Sequence, residues 1–330
     1  MKKALITGVA GQDGSYLAEY LLSLGYQVFG LVRRESGDLP RLRAIRDRIE
    51  VRYGDMRDEA SLNAAFQQAW PDEVYNLAGQ AFVPASWEVP AETIEVNVGG
   101  LARLLKIIEK HKPFTRIFQA SSSGMFGNAD GLCNEDTPLN PTSPYGTSKM
   151  FAHRLIEVYR ARGLYAVSGI LFSHESPRRT PQMVTRKITL AAAAWATGER
   201  TKLKLGNLQA RRDWGFAGDF VKAMHAMLQQ QTPKDYVIGT GESHSVAEFI
   251  AEAFAVVPGG RGEARLDALA DYVEVDPRLV RYGEAIASLR ADAGRARRQL
   301  GWRPEVDFPG LVKMMVEADL AAAMASTNAT

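Results

Sequence analysis

Short apolar runs alternate with amphipathic stretches through the first half of the chain. Residues 4–7 are mostly apolar and end at Gly8, and residues 15–24 then carry apolar side chains at helical spacing. The same order of a strand followed by a helix continues as far as residue 171. The pattern predicts strands at residues 4–7, 28–32, 49–51, 73–77, 116–120 and 166–171, and helices at 15–24, 61–70 and 94–110 and after Pro144.

This regular alternation indicates the fold class. Parallel neighbouring strands need a helix to return the chain, so the sequence predicts an α/β fold with a Rossmann-type, doubly wound parallel sheet. After residue 172 the rhythm breaks into polar, glycine- and proline-containing stretches at 173–182, 206–213 and 256–263. We therefore expect a smaller C-terminal lobe that is interleaved with the sheet domain.

The boundary between the sheet domain and the lobe is predicted near Ile170. A helix at 219–230 and a strand at 235–238 are expected to return to the sheet. The sheet domain then comprises residues 1–170 together with about 215–240, and the lobe comprises about 171–214 and 241–330.

Composition narrows the class of protein. Hydrophobic residues make up 46% of the 330 residues and charged residues 24%, which excludes intrinsic disorder, collagen-like repeats and coiled coils. The net charge of +2 is too small to indicate a nucleic-acid partner. We expect neither a signal peptide nor a membrane span. The longest mildly apolar stretch, residues 190–197, is far shorter than the ~20 apolar residues that a membrane-spanning helix needs. The single cysteine, Cys133, favours a reducing compartment, hence the cytoplasm.

A glycine-rich loop joins the first predicted strand to the first predicted helix. Gly8, Gly11 and Gly14 form a G-x-x-G-x-x-G pattern, in which small residues allow the backbone to approach a pyrophosphate at the helix N-terminus. Gln12 and Asp13 lie in the same loop and are counted with the cofactor residues. A tight turn is the alternative interpretation, but the strand, helix and strand around the loop favour a dinucleotide site.

The end of the second strand bears on which nicotinamide cofactor binds. An NAD enzyme usually has an acidic residue here for the ribose 2′-hydroxyl, whereas this chain has Arg33 and Arg34. Two guanidinium groups suit a 2′-phosphate, so we expect NADP(H); a solvated basic pair is the alternative. Further strand-end candidates, each of which could be an ordinary strand-end residue, are Asp55 and Met56 for the adenine and Leu77 and Ala78 for the nicotinamide.

A tyrosine and a lysine stand four residues apart in the helix that begins at Pro144. Tyr145 and Lys149 therefore share one face of this helix. The lysine ammonium stabilises negative charge on the tyrosine oxygen, which can take a proton from a hydroxyl as hydride leaves the carbon. Ser122, just after the strand at 116–120, would share that hydrogen bond. These three residues predict catalysis of hydride transfer, and we expect no metal ion.

Longer motifs resemble the extended short-chain dehydrogenase/reductase superfamily and, within it, the GDP-mannose 4,6-dehydratase family. The resemblance runs nearly end to end. Its most specific strings are HESPRR at residues 174–179 and RDWG at residues 212–215. Further matching positions are residues 7–18, 32–34, 75–77, 119–121, 143–146, 169–172, 185–187, 205–207 and 301–302.

The resemblance implies an NADP enzyme in which the sheet domain binds the cofactor and the C-terminal lobe binds GDP-mannose. The implied substrate-binding residues are Ser173, Thr185, Arg186, Lys187, Asn207, Arg212, Arg281 and Glu284. Arginine forks and a lysine ammonium also recognise a diphosphate on chemical grounds. Ser173 replaces an asparagine of the family. Members of the family usually associate, so we expect a homodimer or a homotetramer.

One departure from the family concerns the elimination of water. The family has a glutamate two residues after its catalytic serine or threonine, which removes the proton at carbon 5 of the sugar, whereas this chain has Gly124. Oxidation at carbon 4 needs only Tyr145, Lys149, Ser122 and NADP, but elimination needs a base. We therefore expect a dehydratase with a replacement base, or an NADPH-dependent reductase of a GDP-4-keto-6-deoxyhexose of the GDP-rhamnose or GDP-talose type. A third alternative is an NADP-binding protein without catalysis, against which the intact Tyr145 and Lys149 argue.

Overall fold

A parallel sheet of seven strands forms the centre of the computed structural model, which describes residues 1–257, 269–279 and 288–327. The strands of the described residues are β1 (Lys3–Thr7), β2 (Gln27–Val32), β3 (Glu50–Tyr53), β4 (Glu73–Asn76), β5 (Arg116–Ser122), β6 (Gly131–Cys133), β7 (Ala166–Leu171), β8 (Ser173–Glu175), β9 (Leu203–Leu205), β10 (Arg211–Arg212), β11 (Trp214–Phe216), β12 (Tyr236–Ile238), β13 (His244–Ser245), β14 (Val273–Val275) and β15 (Leu289–Ala291).

Helices cover both faces of this sheet and build most of the C-terminal lobe. Those of the described residues are α1 (Gln12–Ser23), α2 (Glu59–Ala69), α3 (Ala85–Glu88), α4 (Pro90–Ile94), α5 (Gly100–His111), α6 (Pro144–Ala161), α7 (Val184–Ala196), α8 (Ala217–Leu228), α9 (Val246–Val256), α10 (Leu269–Tyr272), α11 (Gly294–Leu300) and α12 (Phe308–Thr327). Within the described ranges, none of them combines the length and the apolar character that crossing a bilayer requires.

The strand order of the central sheet is β12, β7, β5, β4, β1, β2, β3, and every neighbouring pair is parallel. The chain builds outward from β1 to β3 on one side and from β4 to β12 on the other, so the strand order reverses between β1 and β4. In open α/β sheets, ligands bind in the crevice at such a reversal, at the carboxyl ends of the strands. The predicted fold class is confirmed.

Successive side chains along β5 point to opposite faces of the sheet and enter different hydrophobic cores. Phe118 packs in the same cluster as Phe220 of α8, whereas Ile117 packs in the same cluster as Ile156 of α6. All four side chains are 0% exposed, and complete burial of such a side chain contributes about 1.5–3 kcal/mol. The apolar residues of β5 therefore fix its register between the two helical layers, and with it the position of Ser122 at the end of the strand.

The C-terminal lobe has a hydrophobic core of its own. Phe249 of α9 and Leu311 of α12 are buried there, together with Ile188 of α7. Small two-stranded sheets tie the lobe to the sheet domain, since β8 pairs with β11 and β15 pairs with β6. The lobe is therefore interleaved with the sheet domain along the sequence, as predicted.

The predicted single helix at residues 94–110 is wrong in its first part. The chain there leaves α4 at Ile94, passes through a π-helical turn at Glu95–Gly99 and continues as α5. Asn97 lies buried in this turn, and its side chain is hydrogen-bonded to Gln80 and Ser148. Turns of this kind are frequent at functional sites, and the spacing of apolar residues does not reveal them.

Candidate active site

The glycine-rich loop is pressed against the end of β4. Gly8 has a φ of +70°, and a Cβ atom added to it would lie 2.8 Å from the backbone nitrogen of Ala78. A Cβ atom on Gly14 would lie 2.3 Å from the carbonyl oxygen of Gly8, and the N–H of Gly11 donates to that same oxygen at 2.9 Å. Only glycine fits at positions 8 and 14, so the loop has the closely packed backbone that a pyrophosphate-binding turn requires.

Thr7 fixes the position of this loop relative to β4. Its hydroxyl donates to Asn76 Oδ1 at 2.7 Å and accepts the backbone N–H groups of Leu77 and Ala78, both at 3.1 Å. Two of the predicted nicotinamide-side residues are thereby held beside the glycine loop, at the point where the strand order reverses.

The side chains of Gln12 and Asp13 are engaged by the chain that follows β7. Gln12 Nε2 donates to the carbonyl of His174 at 3.1 Å, and Asp13 Oδ2 lies 2.8 Å from His174 Nε2. Although burial raises the pKa of Asp13, the charge and hydrogen bond of His174 lower it to about 2. Burial lowers the pKa of His174, but Asp13 outweighs this and raises it. What these two positions present to a cofactor is therefore their backbone.

Arg33 and Arg34 follow β2 directly, and both are exposed. The Arg34 guanidinium stands 5.8 Å from the centre of the Tyr53 ring. The other two predicted adenine-side residues differ from each other. The Asp55 carboxylate is bound by Arg57, whose hydrogen bonds lower the pKa of Asp55. Met56 is buried in the core beside α5.

The candidate catalytic residues Tyr145 and Lys149 occupy the first turns of α6. Ser143 caps this helix, with its hydroxyl accepting the N–H of Gly146 at 3.1 Å, and Pro144 is the first helical residue. Lys149 is buried; its Nζ donates to the carbonyl of Ala120 at 2.9 Å and stands 5.8 Å from the centre of the Tyr145 ring. The helix thus holds a positive charge beside the phenol, next to the end of β5.

Ser122, Gly124 and Tyr145 meet at one place. Ser122 Oγ accepts the N–H of Gly124 at 3.1 Å. A Cβ atom on Gly124 would lie 3.4 Å from Ser122 Oγ and 3.5 Å from Tyr145 Cε1, which is ordinary contact distance. A Cβ atom on Gly146 would lie 2.5 Å from the carbonyl oxygen of Gly124, so glycine at 146 lets α6 approach this closely. A side chain at position 124 would therefore begin between the Ser122 hydroxyl and the Tyr145 ring.

Three buried polar residues behind Tyr145 were missed by the sequence analysis. Ser148 Oγ donates to the carbonyl of Tyr145 at 2.8 Å, and Asn97 Nδ2 donates to Ser148 Oγ at 3.0 Å. Ser86 Oγ accepts the backbone N–H of Tyr145 at 3.2 Å. These contacts fix the backbone from which Tyr145 projects. Ser86 and Asn97 have no local sequence signal, because they reach Tyr145 and Ser148 from 59 and 51 residues away.

Glu135, the next glutamate after position 124, makes its contacts at the edge of the central sheet. Its Oε1 accepts the backbone N–H of Val237 in β12 at 2.8 Å, and its Oε2 lies 3.5 Å from Arg295 Nε. Burial raises the pKa of this carboxyl. These contacts satisfy the exposed edge of β12 and give Glu135 a structural role.

The predicted substrate-binding residues are spread over the C-terminal lobe. Thr185, Arg186 and Lys187 occupy the first turn of α7, and Thr185 is buried while Lys187 is exposed. The remaining described ones are Ser173 in β8, Asn207, whose Oδ1 accepts the N–H of Gln209 at 2.9 Å, and Arg212, whose Nη1 donates to the carbonyl of Arg211 at 2.7 Å. Arg281 and Glu284 lie outside the described residues.

A family model and two curated proteins that match this chain are described as GDP-mannose 4,6-dehydratases. A family model described as GDP-mannose 4,6 dehydratase matches residues 5–315. The chain is 47% identical over 336 residues to GDP-mannose 4,6 dehydratase 1 of Arabidopsis thaliana, which covers 98% of this chain and 91% of that protein. It is 39% identical over 348 residues to GDP-mannose 4,6 dehydratase of Homo sapiens, which covers 99% and 93%.

Solved structures resemble the fold over almost its whole length. UDP-glucose 4-epimerase of Thermotoga maritima, solved with UDP-glucose, superposes with a TM-score of 0.83 at 24% identity, covering 97% of this chain and 99% of that one. UDP-glucose 4-epimerase of Thermus thermophilus, solved with NAD, has a TM-score of 0.81 at 26% identity, covering 98% and 100%. These likenesses support the sheet architecture described above.

Proposed function

Because this chain belongs to the GDP-mannose 4,6-dehydratase family, we propose that it binds NADP and GDP-mannose and transfers hydride at carbon 4 of the sugar. The observation that carries the proposal is the meeting of Ser122 and Tyr145 at position 124, with Lys149 beside the Tyr145 ring. This is the set of groups that oxidation of a secondary alcohol needs: a hydroxyl to move the proton, a charge to stabilise the resulting anion and a second hydroxyl to orient the substrate.

The residues divide the work at carbon 4 as follows. The Tyr145 oxygen takes the proton of the substrate hydroxyl, and the Lys149 ammonium stabilises the negative charge on that oxygen. Ser122 orients the same hydroxyl through its own hydrogen bond. NADP, when bound, supplies the hydride acceptor. The glycine loop would hold its pyrophosphate, and the ends of β4 would lie beside its nicotinamide.

The preference for NADP over NAD is supported by Arg33 and Arg34. Both guanidinium groups are exposed after β2, on the side of the glycine loop where the adenosine ribose of a dinucleotide lies. A planar guanidinium recognises a phosphate through two parallel hydrogen bonds, and a ribose hydroxyl offers no such partner.

The first turn of α7 supports binding of a nucleoside diphosphate in the lobe. Lys187 brings an exposed positive charge to this helix N-terminus, where backbone N–H groups also favour anions, and the Arg186 guanidinium beside it pairs with the buried carboxylate of Asp319 at 2.5 Å. The proposed division therefore assigns the cofactor to the sheet domain and the GDP-sugar to the lobe.

For the elimination step, we propose that the chain relies on a proton acceptor other than residue 124 and therefore dehydrates GDP-mannose only slowly. Gly124 offers no side chain, and the Glu135 carboxylate is bound to Val237 and lies near Arg295. The relatives named above are dehydratases and lend no support to the alternative of a 4-keto reductase. Incubation of the purified protein with NADP+ and GDP-mannose deuterated at carbon 4 tests the proposal: transfer of deuterium from carbon 4 to the nicotinamide supports it, and its absence contradicts it.

A self-association surface is also proposed, in line with the expected homodimer or homotetramer. The large apolar side chains of Trp87, Ile94, Phe151 and Val158, on α3, α4 and α6, are 50–65% exposed. Exposed apolar side chains on neighbouring helices are typical of protein interfaces. Light scattering of Phe151→Glu should show a smaller particle than the wild type; an unchanged mass would contradict this surface.

A further inference from the structure

A short segment that follows β7 connects the cofactor loop to the helix with the candidate GDP-binding residues. We call residues 174–179 the connecting segment; it begins within β8, which pairs with β11. Successive side chains of an extended chain point to opposite sides. His174 and Ser176 accordingly contact the start of α1, whereas Glu175 between them contacts α7.

The α1 side of the connecting segment is held by buried polar contacts. His174 Nε2 lies 2.8 Å from Asp13 Oδ2, and the other ring nitrogen lies 2.7 Å from the carbonyl oxygen of Phe172. Ser176 Oγ, which is 0% exposed, donates to Gln12 Oε1 at 2.8 Å. Because both ring nitrogens of His174 face acceptors, the ring is charged and forms a partly buried ion pair with Asp13.

A third residue of the connecting segment extends this contact along α1. Arg178 Nη1 donates to Ser15 Oγ at 3.0 Å, and Arg178 Nη2 donates to both carboxylate oxygens of Glu19, at 2.7 and 2.9 Å. The guanidinium also stacks 4.1 Å from the centre of the Tyr16 ring. The first two turns of α1 are therefore attached to the segment at several points.

The opposite side of the connecting segment is attached to the first turn of α7. Thr185 Oγ1 donates to Glu175 Oε2 at 2.7 Å, and Glu175 is buried and also lies 3.0 Å from Arg179 Nε. Arg186 Nη1 donates to the carbonyl of Pro177. Two of the residues proposed to bind the GDP moiety are thus bonded directly to the segment that contacts the cofactor loop.

We propose that the connecting segment couples the two binding sites, so that NADP and the GDP-sugar each strengthen binding of the other, with Asp13, His174 and Ser176 as positioning residues. This inference rests on the proposed function, which assigns NADP to the glycine loop and GDP to α7. A ligand at either end orders its own helix start and, through the segment, the start of the other helix. The second ligand then has less ordering to bring about, which gives positive cooperativity without a new contact.

Calorimetric titration with NADP+, with and without saturating GDP, measures this coupling directly; GDP is the probe because it does not react. In the wild type, GDP should lower the Kd for NADP+ roughly tenfold, within the ~5–150-fold range of typical couplings. NADP+ must lower the Kd for GDP by the same factor, because coupling is reciprocal. Amide exchange within residues 174–178 should slow when either ligand is present.

Two variants weaken the contacts between the connecting segment and α1 to different degrees. Ser176→Ala removes the hydroxyl that reaches Gln12, and Asp13→Asn combined with His174→Gln replaces the ion pair by neutral amides of similar size. We expect the coupling factor to fall to about 3 in the first and about 1 in the second, while the Kd of each ligand alone changes less than about threefold. The matched control is Ser23→Ala, since the Ser23 hydroxyl bonds only to Tyr20 within α1 and should leave the factor unchanged.

Three results separate the outcomes. Binding of both ligands with a factor near 1 in the wild type overturns the coupling but leaves the proposed function intact. A wild-type factor that both variants retain, even with a lowered melting temperature, shows a merely structural role and also overturns it. Failure of the wild type to bind NADP+ or GDP at all overturns the proposed function itself, and the coupling with it.

Discussion

Two parts of the candidate active site differ in what the chain supplies. At carbon 4, Tyr145 and Lys149 are fixed by α6: Lys149 Nζ donates to the carbonyl of Ala120 at 2.9 Å, and the N–H of Tyr145 donates to Ser86 Oγ at 3.2 Å. At position 124, where a side chain would contact both Ser122 and Tyr145, the residue is glycine. The difference between the two parts therefore lies in one missing side chain.

This difference separates two chemical steps that share one site. Hydride transfer at carbon 4 depends on a hydroxyl and a positive charge that the chain provides. Elimination of water also needs a base that removes the proton at carbon 5. Gly124 has no side chain and cannot be this base. The comparison therefore predicts that substitutions at Tyr145 and at Gly124 affect different steps.

The largest effect is expected for Tyr145→Phe, which removes the group that moves the proton at carbon 4. The rate of hydride transfer should fall ~100- to 10,000-fold, because a positioned acid or base typically contributes that much. Binding of NADP+ and GDP should change little, since neither the glycine loop nor α7 is altered. Stopped-flow absorbance of the reduced nicotinamide measures the rate, and a loss smaller than about tenfold would show that another group moves the proton.

Gly124→Glu should have the opposite effect on the second step. Its Cβ atom fits at ordinary contact distance, and the carboxylate would lie beside Ser122 and Tyr145. Dehydration should rise at least about tenfold towards the full contribution of a positioned base. Gly124→Gln is the matched control, since it has the same shape without the base. Equal rates of dehydration in the two variants would contradict this role for position 124.

The sequence predicted the parts of the site that have a local signature. The spacing of Tyr145 and Lys149, the glycine loop and the strand end at Ser122 all follow from short-range patterns, and the structure brings them to one edge of the sheet. The sequence did not predict Asn97 or Ser86, because these residues contact Ser148 and Tyr145, which are 51 and 59 positions away in the chain. The sequence pattern places Asp13 among the cofactor residues, but it gives no sign that its side chain pairs with His174, 161 positions along the chain.

The cofactor side of the comparison can be sharpened through Arg33 and Arg34. Replacing both by alanine should weaken NADP+ binding about tenfold or more and leave NAD+ binding nearly unchanged, because a charge-assisted hydrogen bond to phosphate contributes about 1.5–3 kcal/mol. Arg43→Ala is the control. Arg43 also lies between β2 and β3 and is exposed, but its guanidinium is paired with Asp38 at 3.1 Å. Tighter binding of NAD+ than NADP+ in the wild type would contradict the proposed preference.

The smallest effect concerns stability against pH. The pKa of Asp13 is lowered from 3.8 to about 2, so its contribution is present above pH 3.8 and is lost as the pH falls towards 2. The pKa of His174 is raised above 6.5, so its contribution is present below pH 6.5 and is lost as the pH rises through the folded value. Melting temperatures of the wild type should exceed those of the Asp13→Asn, His174→Gln variant most between these limits. A difference that stays the same when the pH falls below 3.8 and when it rises well above 6.5 would show that the pair is not charged.

The central claim is that this chain transfers hydride at carbon 4 but has no base at position 124. Its most direct test has two arms. The wild type is incubated with NADP+ and GDP-mannose deuterated at carbon 4 to follow deuterium transferred to the nicotinamide, and with unlabelled GDP-mannose in D₂O to follow deuterium at carbon 5, both by NMR and mass spectrometry. Our account predicts reversible hydride transfer at carbon 4, with little deuterium at carbon 5 and little 4-keto-6-deoxy product, and a gain of both in Gly124→Glu. Dehydration by the wild type at about 1 per second or faster, with rapid deuterium incorporation at carbon 5, would contradict it.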